Sequence, residues 1–322
     1  MTVRLTIQRK AWTVHVADTV AAYGAGLVPV VKGNGYGFGR GVLHGIVTDL
    51  FGAGTMVAVG TTHELHDVPP ALTPVVLTPT LSVPADTRPI LTVAAPQHLD
   101  ALVGWHGRVI VKLGSSMRRF GVAPTELAGT LAAATAQGLE VVALGVHLPL
   151  AGDDAARLGE IHGWLPHLPA DVPLWVSHLT ADSFRRLRTE MVDRDVRIRV
   201  GTALWHGVPR GDFLRLTADV LQVVHVRAGD RVGYHASIAP TDGSVVTIGA
   251  GTAAGIAPLD TTDPAGRSPF HFARRRLALV EGPHMHASLV FVPEGDPCPA
   301  IGDEVDVQRP LVTTNADDVR WR

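Results

Sequence analysis

Eight short apolar runs recur along the first two thirds of the chain, and helical periodicity separates them. They lie at 27–31, 56–59, 75–77, 90–93, 109–113, 141–146, 174–176 and 198–200. The intervening stretches at 11–23, 42–51, 62–66, 96–105, 124–136, 153–164 and 181–191 read as helices. Uninterrupted apolar runs of this length suit strands covered on both faces, as in a parallel sheet. Strand alternating with helix eight times predicts an α/β architecture, a (β/α)8 barrel of the TIM type. After Phe213 the texture changes to short β-rich runs at 220–226, 231–238, 245–248, 276–280, 287–292 and 304–307, separated by turns such as 227–230 and 241–243. The expected organisation is a barrel over 9–215 and a smaller, mostly β domain from 216 to 322. The alternating segment 3–7 reads as an edge or added strand, and 260–268, rich in Asp, Thr, Pro and Gly, as an exposed loop.

The first barrel strand runs into LVPVVKGNGYGFGR, residues 27–40. The apolar run ends in Lys32, and Gly33, Gly35, Gly37, Gly39 and Gly41 follow at alternate positions. Lys32 therefore falls at the carboxyl end of a barrel strand, where such folds carry chemistry. A salt-bridge partner is the ordinary reading of a lysine. Here, however, only Lys10, Lys32 and Lys112 are lysines among 28 Lys plus Arg residues. Keeping Lys in the most apolar strand points to an amine that can deprotonate, which Arg cannot supply. A desolvated lysine has a lowered pKa and can attack a carbonyl to form an imine.

Composition excludes several function classes. The chain has 322 residues, 46% hydrophobic and 18% charged, with a formal net charge of -2. Its one short basic run, Arg274 to Arg276, argues against nucleic acid as a partner. No apolar run approaches the roughly 18 residues of a membrane span, and residues 1–12 lack a signal-peptide core. The single cysteine, Cys298, has no internal disulfide partner. These features predict a cytoplasmic protein with neither membrane nor nucleic acid as partner.

Residues 30–37, VVKGNGYG, resemble the V-V-K-A-N-A-Y-G segment with which the alanine racemase family holds pyridoxal 5'-phosphate (PLP), Gly33 and Gly35 standing where the family has alanine. By that resemblance Lys32 carries the cofactor covalently and Tyr36 helps hold its phosphate. The likeness continues. VKLGSSMRRFGV, residues 111–122, resembles L-K-x-D-T-G-M-x-R-x-G, which places Arg119 at the arginine that binds the substrate carboxylate. Lys112 falls at the lysine that is often carbamylated to brace it. A guanidinium suits a carboxylate because it grips both oxygens, although two surface charges after a strand would look the same. Gly145-Val146-His147 resembles the strand-end T-H-F, whose His lies near the catalytic tyrosine. A strand-end His is otherwise a core hydrogen-bonder. Ser177-His178 opens a stretch similar to H-x-x-N-S; Ala181 and Asp182 occupy its Asn-Ser positions, and Ser183 fits the phosphate-binding Ser with a one-residue shift. RIRVGTALWHG, 197–207, resembles V-R-x-G-I-A-x-Y-G: Arg199 would face the pyridine nitrogen, and Gly201 and Thr202 would offer backbone N–H groups to the phosphate.

In the β-rich part, RVGYHASIAP, 231–240, resembles V-x-Y-G-A-T-x-x-A and places Tyr234, one of only three tyrosines, at the second catalytic base. GPHMHAS, 282–288, resembles G-R-x-x-M-D, with the Met285 N–H directed at the substrate carboxylate. The resemblance also implies that the first strand, within 1–8, joins the β domain, and that two copies form a homodimer with shared active sites. Two departures stand out. Ala250 takes the place of a tyrosine at the substrate entry, which predicts an open position there. No tyrosine follows Tyr234, so a late phosphate-binding tyrosine is expected to be missing. His63-Glu64-Leu65-His66 has the wrong spacing for a zincin, and His284-x-His286 lacks a third ligand, so no metal is expected.

The implied function is that of a PLP-dependent racemase interconverting L- and D-amino acids, with Lys32 and Tyr234 as bases on opposite faces. A lyase or bulky-substrate racemase on the same scaffold, or a non-catalytic PLP-binding relative, are the other readings.

Overall fold

The computed structural model describes residues 2–259 and 267–322, so most of the proposed loop at 260–268 lies outside the described residues. The chain divides into two compact units. One comprises Val14–Gly35 and Arg40–Val208. The other holds the described residues of Met1–Thr13, Tyr36–Gly39 and Pro209–Arg322.

The strand β1 (Val3–Ile7) opens the chain and belongs to the second unit. The first unit is built on eight parallel strands: β2 (Leu27–Pro29), β3 (Met56–Val59), β4 (Thr73–Val76), β5 (Ile90–Val93), β6 (Arg108–Lys112), β7 (Glu140–Gly145), β8 (Leu174–Ser177) and β9 (Val196–Val200). They pair in sequence from β3 to β9, β9 pairs β2, and a bridge between Val30 and Ala58 joins β2 back to β3. This is the expected barrel, and the apolar runs are its strands because parallel strands are buried on both faces. The surrounding helices are α1 (Arg9–Tyr23), α2 (Arg40–Phe51), α3 (Pro96–Asp100), α4 (Pro124–Ala136), α5 (Asp154–Trp164), α6 (Ala181–Glu190) and the single turn α7 (Thr202–Trp205). The stretch 62–66 is a 3-10 turn, Thr62–Asp67, and the helix expected over 96–105 stops at Asp100. Side chains start the last two full helices: Asp153 accepts from the Ala156 N–H at 2.9 Å and Thr180 from the Ser183 N–H at 3.3 Å.

The second unit is an antiparallel-rich sheet. Its spine is the long strand β10 (Leu214–Val226). On one side of it lie β13 (Gly243–Ile248), then β17 (Ser288–Pro293) and β16 (Ala278–Leu279); on the other lie β18 (Glu304–Val307), then β14 (Phe270–Phe272) and β15 (Arg275–Arg276). As expected, β1 is added to this sheet, antiparallel to β10. It is no edge, because β19 (Asp318–Trp321) lies parallel on its other side. All five residues of β1 are buried, Arg4 included; its guanidinium faces Asp219, Glu304 and Asp318. The segment 231–238, read as one strand, is instead a hairpin of β11 (Arg231–Val232) and β12 (Ser237–Ile238), which moves Tyr234 from a strand to its tip.

Tyr36–Gly39 packs with this second unit because Phe38 inserts beside Trp12 and Trp321, with ring centroids 5.6 and 6.1 Å apart. The glycine-rich motif is therefore divided: Lys32 to Gly35 belong with the barrel, Tyr36 to Gly39 with the sheet, and Arg40 with the barrel again.

Candidate functional site

The C-terminal ends of the barrel strands carry the candidate site. Lys32 follows β2 and stays accessible to solvent rather than enclosed. Burial of its surroundings, then the charge of Arg119, lower its pKa below the usual amine value; Glu64 works against this and Arg199 adds to it. Glu64 lies in the 3-10 turn that contains the metal-like His-Glu-Leu-His. Its carboxylate accepts from the Gly33 N–H at 3.1 Å and the Gly60 N–H at 2.7 Å, so it braces the loop after Lys32. Among the described residues no group of three His, Cys, Asp or Glu is placed to hold a metal. Gly35 has φ +65°, and a Cβ there would lie 2.4 Å from the Arg40 nitrogen. Alanine does not fit this loop, which is the local reason for the glycine.

Lys112 ends β6 and is 6% exposed. Burial, then Arg199, Arg119 and Lys32, push its pKa well below normal. Arg199, on β9, is buried; its Nη2 donates to the Val146 carbonyl at 2.8 Å. Burial followed by Arg119 lowers its pKa to about 10, so it remains a cation at neutral pH. Arg119 lies in the loop after β6, over the Phe120 ring at 4.9 Å, and lines a cavity of about 880 Å³ with Ser116, Glu160 and Trp164. Among the described residues none of these four cations is ion-paired, and such a cluster raises the affinity of the rim for anions.

His147 follows β7 and contacts the ring of His178 edge-on at 4.8 Å. The Ser177 hydroxyl accepts from the Leu148 N–H at 3.2 Å and shares a hydrogen bond with His147 Nδ1 at 3.0 Å. Both imidazoles are neutral. Burial first, then Arg199, lowers His147 to about 2 and His178 to about 4. His178 adopts φ +62°, a strained conformation for a residue with a Cβ.

A second cavity, about 410 Å³, is lined by His178, Thr180, Arg199, Gly201, Thr202 and Asp154, among others. Gly201 and Thr202 head α7, where the first N–H groups have no intrahelical acceptor. The Ser183 hydroxyl does not line this cavity; it bonds the Asp154 carboxylate, as do the Thr180 hydroxyl at 2.5 Å and Arg157. Burial alone would raise the Asp154 pKa, but these donors outweigh it and hold the group ionised.

The fold thus gathers Lys32, Lys112, Arg119, His147, Arg199, Gly201 and Thr202 on the barrel. Tyr36, Tyr234 and Met285 belong to the β-rich unit. Tyr36 is buried at φ +56°, whereas Tyr234 and Met285 are strongly exposed. Ala250, expected to leave an opening, is buried in that unit and its carbonyl accepts from the Ser288 hydroxyl at 2.6 Å. Three residues that shape the site were given no role there from the sequence: Glu64, read only as part of a false metal motif, Asp154 and Thr180. Only Thr180, an N-cap candidate ahead of α6, carried a local signal.

A (β/α)8 barrel with an amine at one strand end and a rim of unpaired cations is the class of protein that the fold and the site define. The family model described as alanine racemase, N-terminal domain, matches residues 10–209, and the chain belongs to the alanine racemase family. Solved structures share the fold. Alanine racemase from Bartonella henselae, described as having covalently bound pyridoxal phosphate, is 19% identical with a TM-score of 0.74, covering all of both chains. The enzyme from D-cycloserine-producing Streptomyces lavendulae is 17% identical with a TM-score of 0.72, covering 100% of this chain and 97% of that one. The enzyme from Clostridium difficile is 14% identical with a TM-score of 0.73, covering 100% and 96%. A search of the curated proteins found no match.

Proposed function

We propose that this protein is a PLP-dependent amino-acid racemase that interconverts L- and D-amino acids. The observation that carries this reading is Lys32 at a barrel strand end, its pKa lowered, within an unpaired cluster of cations. The residues suit the cofactor: the orphan N–H groups of Gly201 and Thr202 open on a cavity with Arg199, and an anionic phosphate needs such donors. When bound, PLP stabilises negative charge developing at the substrate Cα.

In this reading Lys32 holds the cofactor through its amine. Gly201, Thr202 and Tyr36 would serve the phosphate, Ser183 being engaged by Asp154 instead, and Arg199 would take the ring nitrogen. A guanidinium that stays charged disfavours a second positive charge on that nitrogen. His147, neutral and wedged between Ser177 and His178, supports the ring. Arg119 and the Met285 N–H take the substrate carboxylate, and Lys112, carbamylated, braces Arg119. Lys32 Nζ and Tyr234 Oη each remove or return the Cα proton from opposite faces, which inverts the centre.

We further propose a homodimer in which one copy supplies Tyr234 and Met285 to the barrel of the other. No helix among the described residues is long and apolar enough to cross a membrane. With a single, unpaired cysteine, this supports a cytoplasmic setting.

Two measurements test the reading. Borohydride reduction of the PLP-loaded protein should leave a pyridoxyl adduct on Lys32. A panel of L- and D-amino acids in D2O, followed by NMR, should show Cα–H exchange with inversion. An adduct on Lys112 rejects the site; exchange without inversion rejects racemisation in favour of another PLP reaction.

A further inference from the structure

Tyr234 stands at the tip of a hairpin whose strands are two residues each, Arg231 opposite Ile238 and Val232 opposite Ser237. So short a ladder does not hold its own tip, because an isolated hairpin is marginal even when longer. The tip is also exposed: Tyr234 keeps 83% of its surface. What fixes it is Glu281, just beyond β16. The Glu281 side chain is 4% exposed. Its Oε1 accepts from the Tyr234 N–H at 2.9 Å, and its Oε2 from the His235 N–H at 3.0 Å. The same carboxylate holds His284 Nε2 at 2.5 Å, and the His284 ring lies against the Tyr234 ring with centroids 4.3 Å apart. Tyr234 is thus gripped twice, by its backbone and, through His284, by its ring. Gly233 makes room: at φ +75°, a Cβ there would lie 2.6 Å from Glu281 Oε1.

Burying a carboxylate is costly unless donors compensate it. Three donors do so here, and all three belong to the tip or to the residue stacked on its tyrosine. A carboxylate needed only to stitch two loops together would not require the imidazole on the ring.

We propose that Glu281 is a positioning residue that, through the 234–235 backbone and His284, aims the Tyr234 phenol. This rests on the reading of Tyr234 as one of two proton carriers.

The test reads each face separately. Each enantiomer presents its Cα proton to only one of the two bases, so the initial Cα–H loss in D2O from each enantiomer reports one base. Tyr234→Phe identifies the Tyr-dependent enantiomer. If it slows neither, the reading of Tyr234 fails, and the positioning role fails with it. Glu281→Gln keeps the shape but sets an amide N–H against a backbone N–H. In the PLP-loaded protein it should slow the Tyr-dependent loss by at least about 10-fold, the scale of a sub-ångström to 1 Å misplacement. The other enantiomer should be unaffected. With only three tyrosines in the chain, ring-labelled tyrosine NMR should also show the Tyr234 ring signal moving toward that of free tyrosine as the stack on His284 loosens. Equal slowing of both enantiomers means a merely structural role and overturns the proposal; so does an unmoved ring signal. Should Glu281→Gln not fold, Glu281→Asp, which keeps the charge but is one methylene short, reads the same ratio. An unchanged ratio there overturns the proposal as well.

Discussion

At the barrel rim, Arg119 lies close enough to lower the proton affinity of Lys32, Lys112 and Arg199, Arg199 lowers that of both lysines, and Glu64 is the one carboxylate that works against this at Lys32. At the hairpin tip of the β-rich unit the balance is reversed: one buried carboxylate, Glu281, gathers three donors around itself. The rim is a set of like charges held together by the barrel. It is poised for anions and tuned toward a deprotonated amine. The tip is locally self-satisfied, and its tyrosine is left bare. Reactivity is set by unpaired electrostatics in the first case and by placement in the second, so mutations should fail in different ways.

The largest effect should come from the rim. Lys32→Ala should reduce racemisation by at least about 10⁴-fold, the upper end of what a positioned base contributes. It should also remove the imine absorbance on addition of PLP. An intact imine band would show that another amine does this work. Tyr234→Phe should cost about 10²-fold and leave the imine band unchanged, because the cofactor contacts proposed for the barrel do not include its phenol. Mixing this variant with Lys32→Ala should restore part of the activity if copies share sites; no recovery after proven subunit exchange would place each site within one chain.

Arg119→Gln sharpens the electrostatic half. Arg119 is the largest charge lowering the Lys32 pKa, so its removal should raise that pKa and move the pH midpoint of imine formation upward. A midpoint that stays or falls breaks the account. At the tip the sign is opposite. Burial would raise the Glu281 pKa, but the N–H of His235, His284 and the N–H of Tyr234 hold it below the usual carboxylate range. A depressed carboxylate adds stability that is present above its unfolded pKa and lost as pH falls through the folded one. Acidification below the ordinary glutamate range should therefore loosen the Tyr234 ring signal in labelled-tyrosine NMR before the barrel unfolds.

The smallest effects concern stability. With its amine uncarbamylated, Lys112 has a lowered pKa, so the unfolded chain binds more protons and stability rises with pH toward the usual lysine range. Lys112→Met should remove that slope in thermal melts of the PLP-free protein and raise stability at neutral pH by about 1 kcal/mol. Gly35→Ala should lower it by roughly the same amount, since the residue must hold φ +65° against the Arg40 nitrogen.

Much of this was legible in the primary structure. The eight barrel strands were readable because a strand covered on both faces must be apolar along its whole length, and nothing else in the fold writes that pattern. Lys32 stood out because lysine is rare here. The β-rich unit was harder. The run 231–238 has strand-like composition, yet Gly233 at φ +75° folds it back on itself. The strands Phe270–Phe272 and Asp318–Trp321 are too short or too charged to show alternation.

The charges themselves depend on contacts far apart in sequence. Glu64 sat in a motif dismissed as a false metal site, and it bonds Gly33, 31 positions away. Glu281 meets Tyr234 across 47 positions. The sequence determined the barrel, the lysine at its strand end and the family, because each is written in local periodicity and spacing. Tertiary structure alone decided which charges are paired and which are not, because pairing is a property of distance in space, and neither carboxylate carries a mark of its partner in the residues beside it.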